Sequence, residues 1–248
     1  MPPVSTAPNH RSDGASNIKA VILDYGQVLA RCPTVPEFKL MSKMFNVDFD
    51  KFYKLWDSSR GPYDRGDLTA EQYWLQLAEQ TNTTLTAEQI EELRVVEVEI
   101  WVHVDAGMLD WLDQLHAAGM KVALLSNMPW DLIHYVRKNF AWLDNFSFKT
   151  FSAEVRLIKP DPAIYEHTLR GLGVAASGAL FVDDREANID AARKLGIPSI
   201  QFQSIPQLRK DLAAMAFPIL PAVTESSSGG SREAASPDDG EQKIKFQL

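Results

Sequence analysis

Three short apolar runs, each ending in polar or acidic residues, constrain this chain more than any other feature: KAVILD (19–24), MKVALLS (120–126) and ALFVDD (179–184). Runs of Val, Ile and Leu without polar alternation suit strands covered on both faces, as in a parallel sheet, and PSIQF (198–202) reads as a fourth. Helical patterns separate the last three runs: DLIHYVRKNF follows Ser126, IYEHTLRGLG precedes Ala179 and REANIDAARKLG follows Asp184. Strand and helix in alternation predict an α/β fold, a parallel sheet flanked by helices and joined by right-handed crossovers. With 248 residues, 45% of them apolar, the chain suffices for one large domain or a domain with a smaller insert.

One interval breaks the alternation. Between the first run and the helical pattern DAGMLDWLDQLHAAG there is no strand signal, but there are two capping boxes, Thr69 with Gln72 and Thr86 with Gln89. This interval predicts a helical insertion over 34–102, leaving 18–33 and 103–222 for the α/β core. Its aromatics, among them Phe38, Phe49, Tyr53, Trp56, Tyr73 and Trp74, recur at helical spacings and read as core in preference to a ligand box. Residues 1–17 and 223–248 are polar, with Ser, Gly and Pro, and are expected to be disordered.

Charge and cysteine usage narrow the function classes. A formal charge of -8, from 25 Lys and Arg against 33 Asp and Glu, argues against a general grip on nucleic acid or anionic lipid. It leaves room for an anionic small molecule wherever one pocket collects cations. The single cysteine, Cys32, excludes an internal disulfide and a cysteine-rich metal site, favours a reducing compartment, and reads as a loop residue. No apolar run approaches the roughly 20 residues of a membrane span, and the first residues carry no signal-peptide pattern, so the cytoplasm is the expected location. Nothing in the sequence fixes an oligomeric state.

In open α/β sheets, ligands bind beyond the carboxyl ends of the strands. At those ends stand Asp24, Ser126 with Asn127, and Asp183 with Asp184, while Lys159 precedes the helix leading into the strand that ends in Asp183. Taken singly, each has a structural use: Asp24 in a turn, Ser126, Asn127 or Asp184 as a helix cap, Lys159 in solvent. Asp161 before Pro162 reads as an N-cap with proline at the first helical position. Taken together they point elsewhere. Three carboxylates at adjacent strand ends repel one another unless a cation sits among them, and a hydroxyl, an amide and an ammonium match the needs of a phosphate's oxygens. Oxygen ligands with no Cys or His well placed suit Mg²⁺ better than zinc.

The segments AVILDYGQVL, VALLSNM, KPDPAIY and LFVDDREANIDAARKLG, in this order and with a helical insert after the first, resemble the haloacid dehalogenase-like hydrolase superfamily in its helical-cap branch, over about 18–215. The D-x-G form of the first motif, the KPDPAIY segment and the Tyr63-Asp64-Arg65-Gly66 turn look most like the glucose-1-phosphatase-like group and the phosphatase domain of epoxide hydrolases. The resemblance implies a Rossmann-like core with an inserted α-helical cap and a phosphatase acting on a small phosphate monoester, a sugar phosphate being one candidate. It implies Asp24 as the nucleophile that forms an aspartyl phosphate. It places Mg²⁺ on Asp24, the carbonyl of Gly26 and Asp184, with Asp183 beside the ion. Ser126 and the amide of Asn127 would hold the transferring oxygens, and Lys159 would offset charge on nucleophile and phosphoryl group.

One position departs from the pattern. Gly26 stands where phosphatases of the superfamily usually carry a second Asp as general acid and base, and loss of such a group typically costs a factor of about 10² to 10⁴. Gln27 is no acid; at most it orients water or a sugar hydroxyl. Two other readings follow: a 2-haloacid dehalogenase, which attacks carbon without a metal, and a catalytically weak protein that binds phosphate ligands. Dehalogenases of the superfamily lack paired carboxylates in the last motif, so Asp183 with Asp184 favours the phosphatase. Trp130 and Tyr25 are candidates to wall the pocket or to pack against the cap, and Arg60 and Arg65 to reach a substrate or to stand solvated or salt-bridged. His103, His116, His134 and His167 read as helical residues away from the strand ends.

Overall fold

The computed structural model describes residues 18–223, so the disorder expected for 1–17 and 224–248 lies outside it. In chain order, β1 (Ala20–Leu23) leads to α1 (Val35–Met44), α2 (Phe49–Asp64), α3 (Ala70–Gln80) and α4 (Ala87–Glu99). Then come α5 (Ala106–Ala117), β2 (Lys121–Ser126), α6 (Trp130–Asn139), β3 (Phe148–Phe151), the short α7 (Ser152–Val155) and α8 (Pro162–Leu172). The described chain closes with β4 (Ala179–Asp183), α9 (Glu186–Lys194), β5 (Ser199–Gln201) and α10 (Ile205–Ala214).

The five strands form one parallel sheet in the order β3-β2-β1-β4-β5. Every residue of β1 and β4 is buried, which is why these runs carry no polar alternation. The period of two still sorts their side chains. Val21 and Leu23 join Trp111, Ile133 and Leu208 of α5, α6 and α10 on one face, while Ala20 and Ile22 join Ile164, Tyr165 and Ile189 of α8 and α9 on the other. Leu23 pairs with Leu124 of β2 and Val182 of β4, so the three central strands reach their carboxyl ends side by side. The chain runs outward through β2 and β3, then returns across β1 to β4, and that reversal makes the crevice beyond β1 the place for a ligand.

Outside the helical insert, β3, the short α7 and α10 go beyond the sequence reading. β3, with sequence FKTF, is an edge strand pairing only with β2, and half-buried Lys149 hides it from a search for apolar runs. α10 mixes Leu208 and Leu212 with charged neighbours and covers one face of the sheet.

Helices α1 to α4 pack around a separate cluster that includes Phe45, Phe52, Trp74, Leu77 and Leu93. Their starts follow from local chemistry. Thr69 accepts from the Gln72 N–H at 3.2 Å while Gln72 accepts from the Thr69 N–H at 2.9 Å, and Thr86 with Gln89 repeats the exchange. Asp161 caps α8 by accepting from the Ala163 N–H at 2.9 Å, with Pro162 first in the helix. By contrast, α6 starts after Pro129 and α9 after Arg185, so Ser126, Asn127 and Asp184 are not helix caps. His103 lies in the connection between α4 and α5, not in a helix. Arg94 on Asp131 at 2.8 Å, Arg185 on Asp57 at 2.6 Å and the Ser152 hydroxyl donating to the Asp64 carbonyl tie α2 and α4 to the sheet side. Among the described residues, no helix is long and apolar enough to cross a membrane.

Candidate active site

The crevice beyond β1 opens into a cavity of about 480 Å³ between the strand ends and helices α1 and α2. Asp24, Gly26, Ser126, Asn127, Lys159 and Asp184 all line it, and Asp183 lies fully buried behind them. After β1 the chain turns sharply. The N–H groups of Leu29 and Ala30 both donate to the Tyr25 carbonyl, at 2.9 and 2.8 Å, and Gln27 adopts φ 59°, a left-handed conformation uncommon for a residue with a side chain. That turn leaves Asp24 at the mouth of the sheet, its N–H donating to Val182 and its carboxylate accepting from the Tyr25 N–H at 2.7 Å.

Lys159 organises the floor. Its buried ammonium has three donors and meets three acceptors: Asp24 at 2.8 Å, Asp183 at 2.7 Å and the Leu125 carbonyl at 3.0 Å. The loop that carries it is pinned by Asn127, whose side-chain amide donates to the Lys159 carbonyl at 2.9 Å and accepts from the Lys159 N–H at 2.8 Å. Asp183 is saturated as well, accepting from Lys159, from the Arg185 N–H at 2.8 Å and from the Asn188 amide at 2.9 and 3.1 Å. Asp184 differs: its backbone carbonyl accepts from the Gln201 amide at 3.0 Å, but among the described residues its carboxylate accepts no hydrogen bond from another side chain, and it faces the cavity.

The electrostatics are unbalanced. Burial pushes the Asp24 carboxyl up to about 8; Lys159 pulls it down, while Asp183 and Asp184 add to the rise. Burial and then Asp183 raise Asp184 to about 6. For Lys159, burial works against the charge, yet Asp183 and Asp24 outweigh it and hold the ammonium above its ordinary range. Three carboxylates therefore face one buried cation. Asp24, Asp183 and Asp184 each bring an oxygen to within 4.8 Å of the others, an all-oxygen donor set that fits a hard divalent ion such as Mg²⁺. A second cation there would restore Asp24 to its ionised form.

The remaining candidates divide. Tyr25 lines the cavity, and its hydroxyl donates to the Trp101 carbonyl at 2.7 Å. Trp130 does not line it; this half-exposed ring packs beside Gly66, whose φ of 77° and tight surroundings exclude a side chain. Arg65 is held on Asp67 at 2.6 Å and does not line the cavity either. Arg60 does, but it is bonded to Asp64 at 3.1 and 2.8 Å and to Glu97. Cys32 is exposed at the rim.

Several lining residues escape the sequence reading. Asn188 shares α9 with buried Ile189 and Ala192, and a buried amide on such a face was the available signal. Phe49, Tyr53 and Trp56, expected as core, line the cavity from α2 at the i, i+4 and i+7 positions of one helix stripe, which continues at i+11 with Arg60, a residue the sequence did single out. The aromatics of the insert thus serve two uses: Phe45, Phe52, Tyr73 and Trp74 lie in the helical core, Tyr53 lies along the cavity, and Phe38, Phe49 and Trp56 belong to or pack on the core while lining the cavity. Trp101 has no sequence signal at all: its ring lies 3.3 Å from where a Cβ on Gly26 would be.

A family model described as haloacid dehalogenase-like hydrolase matches residues 18–196. The chain is 26% identical to a sesquiterpene phosphatase of Aspergillus oryzae, over 73% of its own length and 88% of the relative's. It is also 26% identical to a D-ribitol-5-phosphate phosphatase of Bacteroides thetaiotaomicron, over 80% and 98% of the two chains. A crystal structure of a HAD family enzyme from Bacteroides thetaiotaomicron matches with a TM-score of 0.62 at 25% identity, covering 75% of this chain and 94% of that one.

Proposed function

The chain belongs to the haloacid dehalogenase-like hydrolases, and on that premise we propose that it is a Mg²⁺-dependent phosphatase that hydrolyses a small phosphate monoester through an aspartyl phosphate on Asp24. The observation that carries this reading is the Lys159 ammonium held between Asp24 and Asp183 on a cavity floor shared with Ser126 and Asp184. Phosphatase relatives support it. α1 to α4 act as the cap that covers the site.

Asp24 attacks phosphorus in line; the phosphorus–oxygen bond to the alcohol breaks, and the alcohol oxygen leaves with the electron pair and takes a proton from water. Water then attacks the aspartyl phosphate, releasing orthophosphate and returning the Asp24 carboxylate. Lys159 lowers the charge on Asp24 and on the phosphoryl group. The Ser126 hydroxyl and the backbone N–H of Asn127 bind phosphoryl oxygens, since the Asn127 side chain is committed to Lys159. Asp183 acts by holding Lys159 and the start of α9 in place. Asp24, Asp184 and the Gly26 carbonyl, with Asp183 beside them, would hold Mg²⁺, which would supply positive charge to keep Asp24 ionised and neutralise the phosphoryl oxygens. A dehalogenase has no use for this carboxylate cluster, which is costly to bury without its cation.

The test is orthophosphate release from a panel of phosphate monoesters with Mg²⁺ and with chelator. Release that needs Mg²⁺ is expected from at least one ester. Halide release from 2-haloacids, with no phosphate from any ester, would overturn the reading.

A further inference from the structure

We infer that the alcohol portion of the substrate is a bulky apolar group, aromatic or hydrocarbon, and not a polyol or sugar; the inference rests on the phosphatase reading and deepens it. Opposite the charged floor, the cavity is walled by Val35 and Phe38 of α1, by Phe49, Tyr53 and Trp56 of α2, and by Trp101. The wall is prebuilt: Phe38 packs edge-on against Trp56 with centroids 4.9 Å apart and against Tyr53 at 5.2 Å, and Tyr53 lies 5.8 Å from Trp56.

Most polar side chains of the lining above the floor, Gln27 and the Tyr53 hydroxyl excepted, point to the same conclusion. A sugar entering this space gives up water at every hydroxyl and needs protein partners in return. Yet Arg60 is bonded to Asp64 and Glu97, Asp57 to Arg185, Asn188 to Asp183, and Asn127 to the Lys159 backbone. Those side chains are in use before any substrate arrives. An apolar body asks for none of them and gains from the aromatic wall.

Position 26 adds an independent argument. Atoms of the Trp101 ring lie 3.3, 3.6 and 3.8 Å from where a Cβ on Gly26 would stand, so indole fills the space into which an acidic side chain would extend. The leaving oxygen then meets an apolar surface in place of a proton donor, which favours alcohols that depart readily, aryl alcohols above all.

The experiment compares kcat/KM with Mg²⁺ in two pairs, each matched for the type of leaving oxygen: 2-naphthyl against phenyl phosphate, and decyl against ribitol phosphate. The apolar member is expected to win each pair by at least about tenfold, the gain from burying as few as two methylene groups. The double variant Val35→Ser/Tyr53→Ser, at two partly exposed wall positions, is expected to shrink the naphthyl-to-phenyl ratio at least threefold. Equal rates within a pair, or a preference for ribitol phosphate, overturn the inference and leave the phosphatase reading intact. If no ester releases phosphate, the phosphatase reading fails; calorimetry on the Asp24→Asn protein then decides the pocket. Tighter binding of naphthyl than phenyl phosphate upholds the apolar site there, and equal binding rejects it.

Discussion

Giving Gly26 the missing acid tests how the site manages without one. Gly26 is not in the left-handed region, so Gly26→Asp meets no backbone penalty there. Sterically, its Cβ would approach Trp101 Cζ3 to 3.3 Å, with Cη2 at 3.6 Å, and the half-buried indole must yield by a few tenths of an ångström. Overpacking of this kind costs about 1–3 kcal/mol, which for a chain of this size lowers Tm by about 2–4 °C per kcal/mol. Against it stands a general acid worth a factor of about 10² to 10⁴ on a poor leaving group. Gly26→Asp is therefore expected to lose several degrees of Tm and to gain at least about tenfold in the phosphorylation rate on an alkyl phosphate, with little change on 4-nitrophenyl phosphate. Gly26→Asp/Trp101→Leu, which makes room for the carboxyl, is expected to gain more. Rapid-quench kinetics over esters of graded leaving-group acidity measures this step. A wild-type phosphorylation rate that does not vary with leaving-group acidity would refute the reasoning, because some other group would then be supplying the proton.

Three further outcomes are expected. Asp184→Asn should weaken Mg²⁺ at least tenfold with little loss of stability, whereas Asp183→Asn, which strips a fully buried hub of Lys159, Arg185 and Asn188, should lower Tm and weaken Mg²⁺ less; calorimetric titration and thermal melts rank the two. The folded metal-free protein keeps a proton on Asp24 that the unfolded chain loses, so stability is fully present below about 4 and falls as pH rises toward 8, with Asp184, Asp64 and Glu97 raised in the same direction. Melts in chelator should show Tm falling from pH 5 to pH 8, and Mg²⁺ should recover more at pH 8; a Tm that climbs across this window would contradict the charge account. Lys159→Met leaves two buried carboxylates without their cation, and a loss of about 3–5 kcal/mol is expected in urea unfolding at pH 8, with a smaller loss at pH 5, where Asp24 takes up a proton.

The sheet was legible because its central strands are buried on both faces: β1, β2 and β4 carry near-unbroken apolar runs, and the polar residues beginning at their ends mark where the chain meets the ligand crevice. β3 was not legible, since an edge strand with one partner tolerates Lys149. Helix starts fixed by a side chain and a nearby N–H, as at Thr69, Thr86 and Asp161, could be read locally. Contacts that join distant segments could not. The clamp of Asn127 on Lys159, the burial of Asp183 behind Asp184, and Trp101 against Gly26 depend on how loops meet over the strand ends. The aromatic spacing in α2 shows a helix stripe but not what the stripe faces, so core and cavity wall look alike in the sequence. The pairings of Arg60 with Asp64 and of Arg65 with Asp67 are local and could be read as salt bridges, whereas the bond from Arg60 to Glu97 of α4 could not.

Trapping of the phospho-enzyme tests the central claim most directly. The protein is mixed with a ³²P-labelled monoester that it hydrolyses and Mg²⁺, quenched in acid within milliseconds, and its peptides are mapped. The expected result is acid-stable label on the peptide carrying Asp24, lost on treatment with hydroxylamine, and no label or turnover in Asp24→Asn. Phosphate release without label at Asp24, together with Asp24→Asn retaining a tenth or more of wild-type turnover, would contradict the account.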